Sequence, residues 1–153
     1  MGRKLLVSAC LLGVPCKYSG GANPCASLLR DIEEGRIDPV PVCPESYGGL
    51  PAPREPSERS GDRVLSKSGQ DVTAQYEKGA QSTLRIARVC GATGAILKAN
   101  SPSCGTGRIY DGTFSHTLTD GDGVTAQLLR EQGYELADET DYARLLTEGG
   151  IQA

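Results

Sequence analysis

The stretch Gly94-Ala-Ile-Leu-Lys-Ala-Asn-Ser-Pro-Ser-Cys-Gly-Thr-Gly107 joins a short apolar run to a loop that contains a cysteine. The run from Gly94 to Leu97 predicts a buried strand. Pro102 stiffens the loop, and the glycines at 105 and 107 permit a close backbone approach to a bound group. We therefore interpret Cys104 as a ligand or nucleophile held at the end of a strand.

The same succession of apolar runs and helical periodicity extends over the rest of the chain. The predicted strands cover residues 4–8, 37–43, 94–97 and 134–137. The predicted helices run from Asn23 to Gly35, from Asp71 or Thr73 to Val89, from Asp122 to Glu131, and from Thr140 or Asp141 to the Gly149-Gly150 tail. Residues 63–65 and 70–73 predict a small hairpin, while the proline-rich residues 47–58 predict a loop or lid.

This alternation of strands and helices predicts an α/β fold in which residues 1–153 form a single domain. The expected architecture is a small, open, mainly parallel, Rossmann-like sheet with helices on both faces. Parallel strands place their carboxyl ends at one edge, where such folds bind ligands. Cys10, Cys43 and Cys104 each follow a different strand, so we expect them to be neighbours at that edge.

Composition excludes several classes of function. A net charge of -3 disfavours a general nucleic-acid binder, which would carry a basic face. No segment reaches the length of a membrane span, and we expect a cytoplasmic protein. In that reducing compartment six cysteines point to metal binding or catalysis rather than to disulfides. Cys25 and Cys90, on or beside helices, are expected to be small buried apolar residues.

Three thiolates on one rim suit a soft metal, and their spacing leaves its identity open. Zinc would take a fourth ligand, for which Cys16 is available, and the result would be a closed, non-catalytic site. An iron-sulfur cluster held by three cysteines would keep one iron open for a substrate atom or water. A further alternative is metal-free persulfide or thiol chemistry through Cys16 or Cys104.

Each polar residue beside these cysteines has two possible roles. Glu45, two residues beyond Cys43, is a general base for water or a partner for Arg54. Ser101 and Ser103 orient a substrate or satisfy backbone groups of their loop. The Lys98 ammonium points into the rim or extends to solvent.

Three blocks of the sequence resemble the small bacterial family that includes the thiouracil desulfidases. They are Ser8-Ala-Cys-Leu-Leu-Gly13 with Cys16 and Tyr18, Val42-Cys-Pro-Glu45 with Gly48-Gly-Leu-Pro-Ala-Pro-Arg54, and residues 98–115 followed by Gly121-Asp-Gly-Val-Thr-Ala126. The resemblance extends from Leu5 to about Leu129.

The resemblance implies an enzyme with a [4Fe-4S] cluster that converts a small thiolated pyrimidine, 2-thiouracil, into uracil and sulfide without net redox change. It implies that Cys10, Cys43 and Cys104 bind the cluster and that the open iron binds the substrate sulfur. Glu45 would then be the acid/base residue and Ser101 a polar catalytic partner. Cys16 would lie in the pocket without holding the cluster.

Overall fold

A four-stranded parallel sheet forms the centre of the computed structural model, which describes residues 2–149. Its strands are β1 (Arg3–Ser8), β2 (Ile37–Val42), β5 (Gly94–Leu97) and β8 (Glu135–Asp138), in the spatial order β2-β1-β5-β8. All three strand pairs are parallel. The predicted α/β class and all four predicted strands are therefore confirmed, with small changes at their ends.

Helices cover both faces of this sheet, as expected. They are α1 (Ala26–Glu33), α2 (Pro44–Tyr47), α3 (Thr73–Cys90), α4 (Val124–Glu131) and α5 (Ala143–Gly149). Leu6 of β1 packs in one buried cluster with residues of α3 and α4. Its neighbours Leu5 and Val7 pack in a second cluster with residues of α1 and α5. This alternation follows from the strand geometry, in which successive side chains point to opposite faces.

Two antiparallel hairpins lie outside the central sheet, and both differ from the predictions. The first pairs β3 (Ser57–Ser60) with β4 (Arg63–Ser66), so the segment interpreted as a loop contributes a strand. Of the predicted pairing between 63–65 and 70–73, the bridge from Leu65 to Asp71 is present. The second hairpin pairs β6 (Arg108–Tyr110) with β7 (Leu118–Asp120). These strands have only three or four residues, too few for a periodic signal.

Two helices begin later than their predicted starts at Asn23 and Asp122. Helix α1 begins at Ala26, because Asn23 is used by the preceding loop: its amide N–H donates to the Cys10 carbonyl at 2.9 Å and its side chain accepts from Lys17 Nζ at 3.0 Å. Helix α4 begins at Val124, because the Asp122 carboxylate instead accepts from the Gly107 N–H at 2.8 Å and from Arg130 at 2.8 and 3.0 Å. Gly150 lies outside the described residues, and the single domain over 1–153 stays a prediction.

Candidate active site

The three predicted cysteines line one cavity of about 590 Å³ at the carboxyl edge of the sheet. Cys10 lies in a short 3-10 turn, Ala9–Leu12, directly after β1. Cys43 directly follows β2, and Cys104 lies in the loop after β5. Because these strands are parallel, their ends bring together residues that are far apart in sequence. All described cysteines are free thiols, so none is committed to a disulfide.

The other three cysteines differ in position. Cys16 lines the same cavity, and its carbonyl oxygen lies 3.9 Å from Cys43 Sγ. Cys25 is partly buried against the cluster that includes α1, in keeping with the prediction. Cys90 is exposed at the end of α3, so its predicted burial is wrong. A helix-terminal residue on the outer face meets solvent whatever its side chain.

Hydrogen bonds within the loop fix the position of Cys104. Its amide N–H donates to Ser101 Oγ at 2.7 Å, and the hydroxyls of Ser8 and Ser103 each lie 3.5 Å from its Sγ. A Cβ at Gly105 would lie 2.7 Å from the Arg108 carbonyl oxygen and 2.9 Å from the Ser101 carbonyl oxygen. The glycine therefore permits the loop to fold back on itself and holds Cys104, only 4% exposed, at the cavity wall. The approach of this glycine to a bound group stays a prediction.

Burial favours the protonated form of three cavity thiols, those of Cys10, Cys16 and Cys104, by raising the pKa of each. It raises the pKa of Cys10 to about 11, although the nearby Lys98 ammonium opposes the shift. Burial also raises the pKa of Cys104 to about 12, and burial together with the adjacent Cys43 raises the pKa of Cys16 to about 12. Thiols in such surroundings become thiolates when a metal supplies positive charge.

Glu45, in the first turn of α2, is held through both carboxylate oxygens. Its Oε1 accepts from Arg54 Nη2 at 2.8 Å, and its Oε2 accepts from the Tyr76 hydroxyl at 3.1 Å. Arg54 also donates to the Cys16 carbonyl at 3.3 Å and to the Pro51 carbonyl at 2.9 Å. The predicted pairing of Glu45 with Arg54 is therefore present, and it ties the Cys16 loop to the Cys43 loop.

Tyr76 is a site residue that the sequence reasoning missed. It lies on the inner face of α3, where the periodicity marked it only as a core residue, and it is 2% exposed. Burial, reinforced by the negative charge of Glu45, raises the pKa of the Tyr76 hydroxyl, which remains a hydrogen-bond donor. A buried tyrosine hydroxyl requires a partner, which is the one signal that the sequence contained.

The Lys98 side chain lies at the rim of the cavity, which was one of its two predicted positions; the other was in solvent. Its Nζ forms an ion pair with Glu139 at 3.1 Å and also donates to the Ala99 carbonyl at 3.1 Å. The Lys98 amide N–H donates to Ser8 Oγ at 2.9 Å, which joins the ends of β5 and β1. The side chain therefore contributes positive charge to the wall that carries the thiols.

The donor set fits an iron-sulfur cluster better than a single zinc ion. Within residues 2–149, no three side chains of histidine, cysteine, aspartate or glutamate lie close enough together to hold one metal ion. A cluster takes each thiolate on a different iron, so its cysteines stand further apart than the ligands of one tetrahedral ion. Cys10, Cys43 and Cys104 are three soft thiols on separate strand ends that line one cavity, a donor set of the kind that such a cluster takes.

Three ring side chains complete the cavity on the side of the second hairpin. They belong to Tyr110, Phe114 and His116, none of which the sequence reasoning assigned to the site. His116 is exposed, yet it lines the cavity. The cavity therefore has a thiol-bearing wall, a carboxylate held by Arg54 and Tyr76, and an aromatic edge.

None of the helices in the described part of the chain has the length and apolar character that a membrane span requires.

Comparisons with known proteins agree with this geometry. The model of the 2-thiouracil desulfurase family matches residues 5–141. An uncharacterized protein of Bacillus subtilis (strain 168), YbbK, is 40% identical, with 93% of this chain and 99% of the relative covered. The solved structure of the [4Fe-4S]-dependent thiouracil desulfidase TudS is 41% identical, covers 99% of both chains and superposes with a TM-score of 0.88. With a family model matched over most of its length and two full-length relatives, the chain belongs to the 2-thiouracil desulfurase family.

Proposed function

We propose that this protein is a sulfur-removing enzyme that converts a thiolated pyrimidine, 2-thiouracil, and water into uracil and sulfide. One observation carries the proposal: three free thiols and a fixed carboxylate share one cavity, in a chain 41% identical to a [4Fe-4S]-dependent thiouracil desulfidase. The reaction needs no oxidant or reductant. The water oxygen bonds to the thiocarbonyl carbon, the carbon–sulfur bond breaks, and the two protons of water leave with the sulfide.

Cys10, Cys43 and Cys104 are the proposed ligands of a [4Fe-4S] cluster. When bound, the cluster supplies a Lewis-acidic iron with affinity for the substrate sulfur. Cys16 is proposed as a substrate-side thiol and not as a ligand: it lines the same cavity but, unlike the three proposed ligands, it is not the first cysteine after a strand of the sheet. Lys98 offsets part of the negative charge that three thiolates bring to this edge.

Glu45 is the proposed acid/base residue. A carboxylate that accepts hydrogen bonds on both oxygens is held in one orientation, and it retains a lone pair on each oxygen for a water proton. Ser101 is the proposed polar partner of the substrate. Its oxygen accepts the Cys104 N–H, so its own proton is available for Ser103, 3.3 Å away, or for a polar atom of the substrate.

We place this activity in the cytoplasm and on a small molecule. Support for a reducing compartment comes from the described cysteines, all of which are free. The net charge of -3 supports a free thiolated pyrimidine over nucleic acid as the substrate.

The test is anaerobic purification followed by iron, acid-labile sulfide and zinc analysis, and by assay of uracil and sulfide released from 2-thiouracil. We expect iron and sulfide in the wild type, loss of both iron and activity in Cys104→Ala, and loss of activity with retention of iron in Cys16→Ala. Cys90→Ala is the matched control, because Cys90 is exposed and does not line the cavity.

Three results would overturn the proposal. Retention of cluster and activity in Cys104→Ala would remove the ligand assignment. Stoichiometric zinc in a protein that releases no sulfide would instead indicate a non-catalytic metal-binding module. Persulfide on Cys16 in iron-free, active protein would indicate metal-free thiol chemistry.

A further inference from the structure

The aromatic edge of the cavity is not explained by metal binding or by acid/base chemistry. Tyr110 ends β6, and Phe114 and His116 belong to the segment 111–117 that connects β6 to β7. All three side chains line the cavity. The rings of Tyr110 and His116 also contact each other edge to face, with centroids 6.3 Å apart and an interplanar angle of 84°.

The backbone of this segment is strained at the two residues that carry the rings. Phe114 and His116 have φ angles of 58° and 60°, in the left-handed region that residues other than glycine rarely adopt. Such conformations persist only where surrounding contacts stabilise them, and they cluster at binding sites. Contacts with surrounding residues must therefore hold this segment in place.

A buried carboxylate of the other hairpin supplies that contact. Glu58 of β3 is 9% exposed, and its Oε1 accepts the amide N–H groups of Gly112 at 3.0 Å and Phe114 at 3.1 Å. Within the segment, Asp111 Oδ1 accepts from the Thr113 amide at 3.0 Å and from its hydroxyl at 2.6 Å. The segment is thus fixed before any ligand binds, which reduces the entropy lost on binding.

We propose that Phe114 is a specificity-determining residue that stacks against the flat ring of the substrate, with Glu58 as its positioning residue. The inference rests on the proposed function and names the feature of the substrate that the aromatic edge recognises. That feature is a planar, aromatic six-membered heterocycle. An aromatic side chain held in the same cavity as the thiols favours such a ring over a puckered ring with the same thioamide groups, because stacking requires a π face.

The test compares 2-thiouracil with 5,6-dihydro-2-thiouracil, which keeps the thioamide edge but has a puckered, saturated carbon pair. Binding of each compound to the anaerobically purified holoprotein is measured on rapid mixing, before turnover consumes the substrate, and turnover is measured by sulfide release. We expect the wild type to bind 2-thiouracil more tightly by on the order of tenfold to a hundredfold, the usual range for one aromatic–base stack.

The variants separate stacking from folding. Phe114→Leu keeps an apolar side chain without a π face and should lose the discrimination, with a larger change in Kd and KM than in kcat for 2-thiouracil. Phe114→Tyr should retain it. Glu58→Ala should lose discrimination, and Glu58→Gln should retain it because its carbonyl oxygen can accept the same two N–H groups. Thr119→Ala, exposed on β7 and outside the cavity lining, is the control for the hairpin.

The outcomes distinguish this inference from the proposed function. Turnover of 2-thiouracil with equal affinity for both compounds, or full discrimination in Phe114→Leu, overturns the role of Phe114 and leaves the desulfidase proposal standing. If the protein binds 2-thiouracil selectively but releases no sulfide, and Phe114→Leu abolishes the selectivity, the role of Phe114 is supported while the proposed reaction fails.

Discussion

Replacing Gly79 by alanine tests the close contact that positions the candidate active site. Gly79 lies on the buried face of α3, where a Cβ would stand 1.9 Å from the Pro44 carbonyl oxygen of α2. The approach is repeated at Gly48, whose Cβ would stand 2.0 Å from the Gln75 carbonyl oxygen. Both obstacles are backbone atoms, so rotation of a side chain cannot relieve the overlap. The two elements therefore pack with backbone against backbone.

The size of the effect follows from two opposing contributions. Alanine is favoured over glycine in a helix interior by about 1 kcal/mol. Against this, the Cβ must move from 1.9 Å to the 3.4 Å of ordinary contact, an opening of about 1.5 Å, and overpacking of this kind costs about 1–3 kcal/mol or more. We expect Gly79→Ala to lose about 1–2 kcal/mol of the free energy of unfolding. Because Pro44 lies between Cys43 and Glu45, iron content and kcat should fall as well.

Urea denaturation followed by circular dichroism measures the stability, and iron analysis of the reconstituted protein measures the site. The Lys78→Gly and Lys78→Ala pair gives the propensity difference alone, because Lys78 is exposed on the same helix. The Lys78 variants should differ in the free energy of unfolding by about 1 kcal/mol. If Gly79→Ala raises the free energy of unfolding by that same amount, no close contact between α2 and α3 opposes the added methyl group, and the described packing is wrong.

Tyr76→Phe removes only the hydroxyl that Glu45 accepts, and we expect kcat for 2-thiouracil to fall roughly tenfold, as for one lost hydrogen bond to a charged group. Tyr47→Phe, which leaves Glu45 untouched, should retain wild-type kcat. Burial alone would raise the pKa of Asp122, but the hydrogen bonds it accepts lower it below its usual value, so its carboxylate stabilises the fold above about pH 4 and loses that contribution as the pH falls through the lowered pKa. Asp122→Asn should therefore lose less stability than the wild type between pH 5 and 3 in urea titrations, and an equal loss would contradict the assignment. The buried Thr125 hydroxyl has no hydrogen-bond partner among the described residues, so Thr125→Val should leave the thermal midpoint unchanged or raise it; a marked drop would show that the hydroxyl is bonded.

Local sequence patterns predicted the central sheet because each of its strands contains apolar or β-branched residues and is flanked by turn residues. The strands at Gly94–Leu97 and Glu135–Asp138 agree with the expected positions to within one residue. Strand β2, which contains two prolines, lies at an edge of the sheet, where proline is tolerated. The parallel direction of these strands was enough to predict that Cys10, Cys43 and Cys104 meet, since strand ends on one edge are neighbours whatever their separation in sequence.

Only the tertiary structure shows which side chains hold the Glu45 carboxylate and the Phe114 segment in place. Glu45 meets Tyr76 only because α2 packs on α3 across two glycines, a contact between elements that local periodicity describes separately. Glu58 supports the Phe114 segment only because two short hairpins pack together, and neither hairpin has enough residues to show a pattern. The sequence by itself determined the class of fold, the family and the edge where the thiols gather, because these depend on neighbouring residues and strand direction. The hydrogen bonds around Glu45 and the aromatic wall depend on long-range packing, which brings together residues that carry no local signal of each other.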